Sequence, residues 1–209
     1  MLCDLNGLLE SPMIATDGET GRVRDFLFDD RSWQVSYLVL DMGNWLRRHD
    51  VVVPIAALDL PDWKCKTVRA CLTRAQLRDC PGVDTRKPVS RQQELAMREY
   101  FGPLASWANA RFGMTSMPAF AKYTALEGED SHLRSAIRLM GHRVWATDGN
   151  IGQLRGFLLD DGSWHISHLE VGISGWDRRS SFTLAPTDWV DGISWAECRV
   201  YLHHAHVTT

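Results

Sequence analysis

The chain has 209 residues, 44% of them hydrophobic and 23% charged, a composition that suits a folded globular protein of one large domain or two small ones. Its formal net charge of −3 supplies no general electrostatic pull toward nucleic acid or anionic lipid. No apolar run approaches the ~18–20 residues that span a bilayer, and the opening Met1-Leu-Cys-Asp-Leu5 has neither the basic nor the apolar stretch of a signal peptide.

The five cysteines (Cys3, Cys65, Cys71, Cys80 and Cys198) are odd in number and contain no C-x-x-C pair. That argues against a disulfide framework and against a zinc ribbon, so a reduced, cytoplasmic protein is expected. Nine tryptophans are the unusual part of the composition. Trp is mostly a core residue but is also enriched at binding surfaces.

The first recognisable element is Ala15-Thr-Asp-Gly-x-x-Gly21, in which Asp17-Gly18 is a strong turn dipeptide. Arg22–Phe28 then reads as a strand, Asp29-Asp-Arg-Ser32 as a polar hairpin loop, and Trp33–Leu40 as a second strand. Further strands fit Val51–Val53 and Thr67–Leu72. The same text returns at a constant offset. Ala146-Thr-Asp-Gly-x-x-Gly152 leads to strands at Gln153–Leu159 and Trp164–Val171 around the loop Asp160-Asp-Gly-Ser163. Strands at Phe182–Leu184 and Arg199–Leu202 follow. Trp45-x-Arg47-Arg48 meets Trp176-x-Arg178-Arg179, and with one inserted residue Pro54 meets Pro186 and Trp63 meets Trp195. An ungapped match of this length is the mark of an internal duplication. It predicts a mainly β protein of two homologous small barrels, over 1–80 and 132–209, because a closed barrel buries the sheet edges that would otherwise aggregate.

Comparison of the copies predicts the core. Leu38 and Leu40 pair with Leu169 and Val171, so that strand face is apolar twice; on the other face Val39 becomes Glu170 and Tyr37 becomes His168, which predicts contact with water or a partner in at least one copy. Between the copies, Thr73 with Gln76 forms a capping box that predicts a short helix. Ser90 with Gln93, followed by Ala96, Met97 and Tyr100 on one face, predicts a second helix over 90–101. The rest of 81–131 reads as a linker. Its Trp107, Phe112, Phe120 and Tyr123 are too apolar for free solvation, so parts of it are expected to pack on a barrel or between the two.

Taken as a set, these residues resemble the PRC-barrel superfamily. The features are Ala-Thr-Asp-Gly-x-x-Gly, then Phe-Leu-[Phe/Leu]-Asp-Asp-x-x-Trp, a strand ending in Leu40-Asp41, and Val53-Pro54. The tail from Leu72-Thr73-Arg74 to Lys87-Pro88-Val89-Ser90 looks like the extension of bacterial PRC-barrel proteins of unassigned role. The family includes the cytoplasmic domain of the photosynthetic reaction-centre H subunit and the C-terminal domain of a ribosome maturation factor. The resemblance implies a docking module in larger assemblies and carries over no catalytic residue. This chain departs from both members, lacking the former's membrane helix and the latter's N-terminal RNA-associated domain.

Four groups of residues invite a functional reading. The pairs Asp29-Asp30 and Asp160-Asp161 could bind a hard cation, but neighbours on a strand point apart, and a turn role outweighs it. Trp45, Arg47 and Arg48, with Trp176, Arg178 and Arg179, combine the two residue types that most often anchor interfaces, and they recur in an otherwise variable loop. They are the candidate partner-binding surface, against a reading in which the Trp merely folds over the barrel end. His204 and His206 are a weak metal candidate, since a structural site wants four defined ligands. His165 and His168, three apart on a strand, are expected on opposite faces. Neither a phosphate-binding glycine loop nor a nucleophile elbow is present. The expected protein is therefore a non-enzymatic interaction module without cofactor, built as an internal pseudo-dimer, with a protein partner and room for a homo-oligomer. Alternatives by resemblance are a ribosome-associated or RNA-processing factor, and a peripheral component of a photosynthetic or electron-transport membrane complex.

Overall fold

The computed structural model describes residues 1–43, 49–83, 85, 96, 99–100, 132–173 and 182–204. The first half contributes β1 (Leu2–Asp4), a 3-10 turn at Leu5–Leu8, β2 (Pro12–Ala15), β3 (Gly18–Asp29), β4 (Val35–Asp41), β5 (Asp50–Pro54), a 3-10 turn at Ile55–Ala57, β6 (Val68–Arg69) and helix α1 (Arg74–Arg78). The second half contributes β7 (Leu133–Ser135), helix α2 (Ala136–Leu139), β8 (Arg143–Ala146), β9 (Gly149–Asp160), β10 (His165–Gly172), β11 (Phe182–Pro186), a 3-10 turn at Thr187–Trp189, β12 (Val190–Ser194) and β13 (Arg199–Leu202). The protein is mainly β, as its strand and turn pattern predicts. The second helix expected over 90–101 falls largely outside the described residues, where Ala96, Glu99 and Tyr100 are helical. The linker expectation for 102–131 also lies outside them.

The strands make two sheets. One runs β5-β4-β3-β2-β6 with β7 also on β3; the other runs β11-β10-β9-β8-β13-β12 with β1 also on β9. Among the described residues neither sheet closes on itself by strand pairing. Sheet membership does not follow the duplicated text at two places. β1, from the N-terminus, pairs antiparallel with β9, and β7, which opens the second copy, pairs antiparallel with β3. Each half thus lends its first strand to the other half's longest strand. Each also lends the turn that follows: Leu5–Leu8 lies on β9, and α2 lies on β3.

Local chemistry explains the repeated elements. Gly18 and Gly149, after the turn aspartates, hold φ near +130° (133° and 131°), a region other residues rarely adopt. Gly21 and Gly152 mark a second need. A Cβ at Gly152 would stand 2.2 Å from the Gly172 carbonyl oxygen, and one at Gly21 would stand 3.0 Å from that of Asp41, so glycine lets β9 and β3 approach their neighbours. The predicted capping box is present: the Thr73 side chain accepts from the Gln76 amide at 3.2 Å, and the Gln76 carbonyl group accepts from the Thr73 amide at 2.9 Å. Asp17 fixes the helix to the first turn by accepting from the Arg74 amide at 2.7 Å.

The buried residues of both halves form one continuous cluster. Leu38, Leu40, Leu169 and Val171 are fully buried in it, as the comparison of copies predicts. The rings of Phe28 and Phe157, from equivalent strands, meet at its centre with centroids 6.2 Å apart, and Phe28 stacks on Trp33 at 5.4 Å. On the opposite face the two copies differ. Glu170 and His168 are half-buried, so the face is reachable in the second copy, whereas Val39 in the first is fully buried.

Candidate interaction surfaces

The duplicated Asp-Asp-x-Ser-Trp loops lie where the halves meet. Trp33 and Trp164 both adopt φ of 57°, a left-handed conformation that is uncommon for a bulky residue. The turn aims each tryptophan's carbonyl across the seam. The Ile166 amide donates to Trp33 at 2.9 Å, and the Val35 amide donates to Trp164 at 3.0 Å. Gln34 adds a side-chain bond to the Ser163 carbonyl at 2.7 Å.

The acidic pairs belong to the same seam. Asp29 is buried and accepts from the amides of Arg31 and Ser32, which shapes its turn. Asp30 reaches into the second half, with Oδ1 at 3.0 Å from His132 Nδ1, Oδ2 at 3.0 Å from Arg134 Nε, and Oδ2 accepting from Trp195 Nε1 at 3.3 Å. At the equivalent point of the other half, Asp160 and Asp161 bind the amino terminus of Met1. Backbone bonds repeat the relation: the Asp30 amide donates to His132, and the Asp161 amide donates to Met1. The aspartates are therefore turn formers and clasps between the halves, a role their position in the duplicated text does not disclose. Asp25 is a third acidic member. Fully enclosed, it accepts from the Ser135 hydroxyl and the Ile137 amide of the other half, and burial pushes its carboxyl above the usual range.

Trp45, Arg47, Arg48, Trp176, Arg178 and Arg179 lie outside the described residues. β4 begins at the seam and ends at Asp41 opposite Arg22, and β10 likewise ends at Gly172 opposite Gln153. Both strands therefore end on the side of their sheets remote from the seam, about 20 Å along at the usual strand rise per residue. A polar cleft of about 430 Å³ sits at the end of β4, lined by Glu10, Glu19, Arg22, Arg24 and Asp41 among others. Its Arg24 is paired with Asp41 at 3.5 Å and Asp50 at 3.7 Å, so the cleft's charge is largely balanced.

The histidines require one correction. His165 and His168 lie on the same face, not on opposite ones. A bulge at Ser167 shifts the register, so His165 pairs with Asp160 and His168 with Leu158, two residues apart on one strand. An inserted residue reverses the alternation on which the expectation rested. His204 stacks beside His203 and Trp189, with ring centroids 4.5 Å and 4.6 Å away, and His206 lies outside the described residues. Among the described residues no group of three His, Cys, Asp or Glu side chains could hold a metal ion.

Four thiols are shifted away from activation. Burial raises Cys3 and Cys71 and pushes Cys80 up to about 12, while the hydrogen bond to Asp62 raises Cys65. A nucleophilic cysteine needs the opposite shift. Burial likewise lowers His142, whose ring meets Trp195 edge-on at 5.4 Å, keeping the imidazole neutral within the core rather than poised at a surface. No helix among the described residues is long and apolar enough to cross a membrane. Neither a protein-family model nor a curated protein matches the chain.

Proposed function

We propose that this chain is a non-enzymatic docking protein, a fused pseudo-dimer of two PRC-barrel-like units that presents its tryptophan–arginine loops to a protein partner. The observation that carries the reading is the reciprocal strand exchange. β1 on β9 and β7 on β3 lock the halves into one body on which the two equivalent segments are carried. The resemblance of the duplicated motifs to PRC-barrels supports the barrel assignment. The raised thiols and paired cleft charges support a binding role over catalysis. Loops that bear Trp and Arg on a rigid scaffold suit protein recognition, where those residues dominate binding energy.

The test is affinity capture of the full chain from its source cell, compared with a variant carrying Trp45→Ala, Arg47→Ala, Trp176→Ala and Arg178→Ala. A stoichiometric partner that the variant loses by tenfold or more is expected, since anchor truncations cost about 2 kcal/mol or more each. A native chain that retains no partner, and sediments as an inert monomer, would sink the reading. If the retained species were ribosomal particles with a salt-dependent affinity, the RNA-associated alternative would replace it.

A further inference from the structure

The halves differ most on the outer faces of their sheets. In the first sheet that face is covered: Leu133 is 6% exposed, and Leu27, Val39 and Val52 are buried. The matching positions in the second sheet are Leu2, Leu158, Glu170 and Leu184. Leu2 is 52% and Leu184 41% exposed, and Phe182 beside them is 61% exposed. The match is secured by register, since Val39 pairs with Val52 as Glu170 pairs with Leu184.

The first half shows what the edge of such a sheet accepts. In the first half α1 lies against β3 and β5 with Leu77 fully buried, and Cys80 and Val83 are buried after it. The chain then adds to the edge of β5. The Val52 amide donates to the Pro81 carbonyl at 3.0 Å, and the Val83 amide donates to Asp50 at 3.2 Å. In the second half β11 is the edge, and β10 is its only strand partner among the described residues. Its Phe-Thr-Leu-Ala-Pro carries no charge to discourage pairing, which leaves a template for an added strand.

We propose that this outer face and free edge dock a protein partner through a segment of the kind that residues 74–83 supply to the first sheet. That segment is a turn of helix presenting a leucine, followed by an extended stretch that adds to β11. It carries a basic side chain opposite Glu170, which stands where the covered face has Val39. A carboxylate beneath such a cover needs a cation, and among the described residues Glu170 has no ion pair. The proposal rests on the docking reading and names a surface for it beyond the loops.

Hydrogen exchange at the outward amides of Phe182 and Leu184 tests it, with a synthetic peptide of residues 72–83 as probe; they match Asp50 and Val52, whose backbone faces residues 81–83, while the amides of Thr183 and Ala185 face β10. A graft in which residues 73–83 follow His204 serves as a second variant. The graft is placed by equivalence, because His204 and Leu72 accept the same bond from Thr147 and Thr16. Fast exchange is expected in the free chain. Slowing of about tenfold or more is expected with excess peptide or in the graft, as local opening is suppressed, and it is expected to vanish in Leu184→Lys. Protection already present in the free chain would overturn the proposal, as self-cover in a monomer or as self-pairing in a dimer. So would unchanged exchange in both peptide and graft. A native partner captured equally well by Leu184→Lys would overturn this surface and leave the docking reading standing.

Discussion

Trp33 and Trp164 show how much a single residue carries in this protein. Each begins what the sequence presents as a strand, yet each is a left-handed turn residue whose carbonyl is given to the other half. Gly152 is as constrained. Gly152→Ala places a Cβ against the Gly172 carbonyl, whereas Gly149→Ala meets open space and only an unfavourable φ. In urea titrations the first substitution is expected to cost about 3 kcal/mol or more, as overpacking against backbone, and the second about 1 kcal/mol, as backbone strain. Asp25 gives a pH signature. Burial raises its folded pKa above the unfolded value, so the folded state holds the proton more tightly, and the stability this contributes is lost as pH rises through the folded pKa. Asp25→Asn removes that dependence. Its stability relative to the native chain is expected to grow from about pH 4 upward in matched urea melts; a gap that shrinks with rising pH would show that the donors from Ser135 and Ile137 outweigh the burial.

At the scale of elements, the long central strands are legible because the Asp-Gly turn and the Asp-Asp loop bracket them, and period-two alternation names their core face. β1 and β7 are not legible. They are three residues long, too short for a period, and their partners are distant in the chain. The Ser167 bulge is hidden for a related reason: an inserted residue is visible only against the strand it fails to match. β1 and the Leu5–Leu8 turn place Cys3, Leu5 and Leu8 in the core. Removal of residues 1–8 is therefore expected to destabilise the chain by about 4 kcal/mol or more, as truncation of two buried leucines alone would. Thermal melts should then lose a single sharp transition, because the edge of β9 and its clasp at Asp160 are left without partners.

For the whole molecule, reciprocal exchange predicts that the halves do not fold independently. Fragments 1–100 and 101–209 produced separately are expected to be aggregated or dynamic, and to form a one-to-one complex when co-expressed, with size-exclusion chromatography as the check. Well-folded, separate monomers would refute the exchange, since each fragment lacks a strand and a turn its own core needs. The mainly β class, the core face of β4 and β10 and the capped helix α1 were readable from residues near one another in the chain, and the repeated text from direct comparison of its two stretches. The fold alone reveals that the aspartates clasp the halves, that His165 and His168 share a face, and that one sheet is covered on its outer side while Leu2, Phe182 and Leu184 are exposed on its twin. Those outcomes depend on which surfaces meet, and a strand's local pattern of polarity is the same whether its uncovered side faces water, its own chain or a partner.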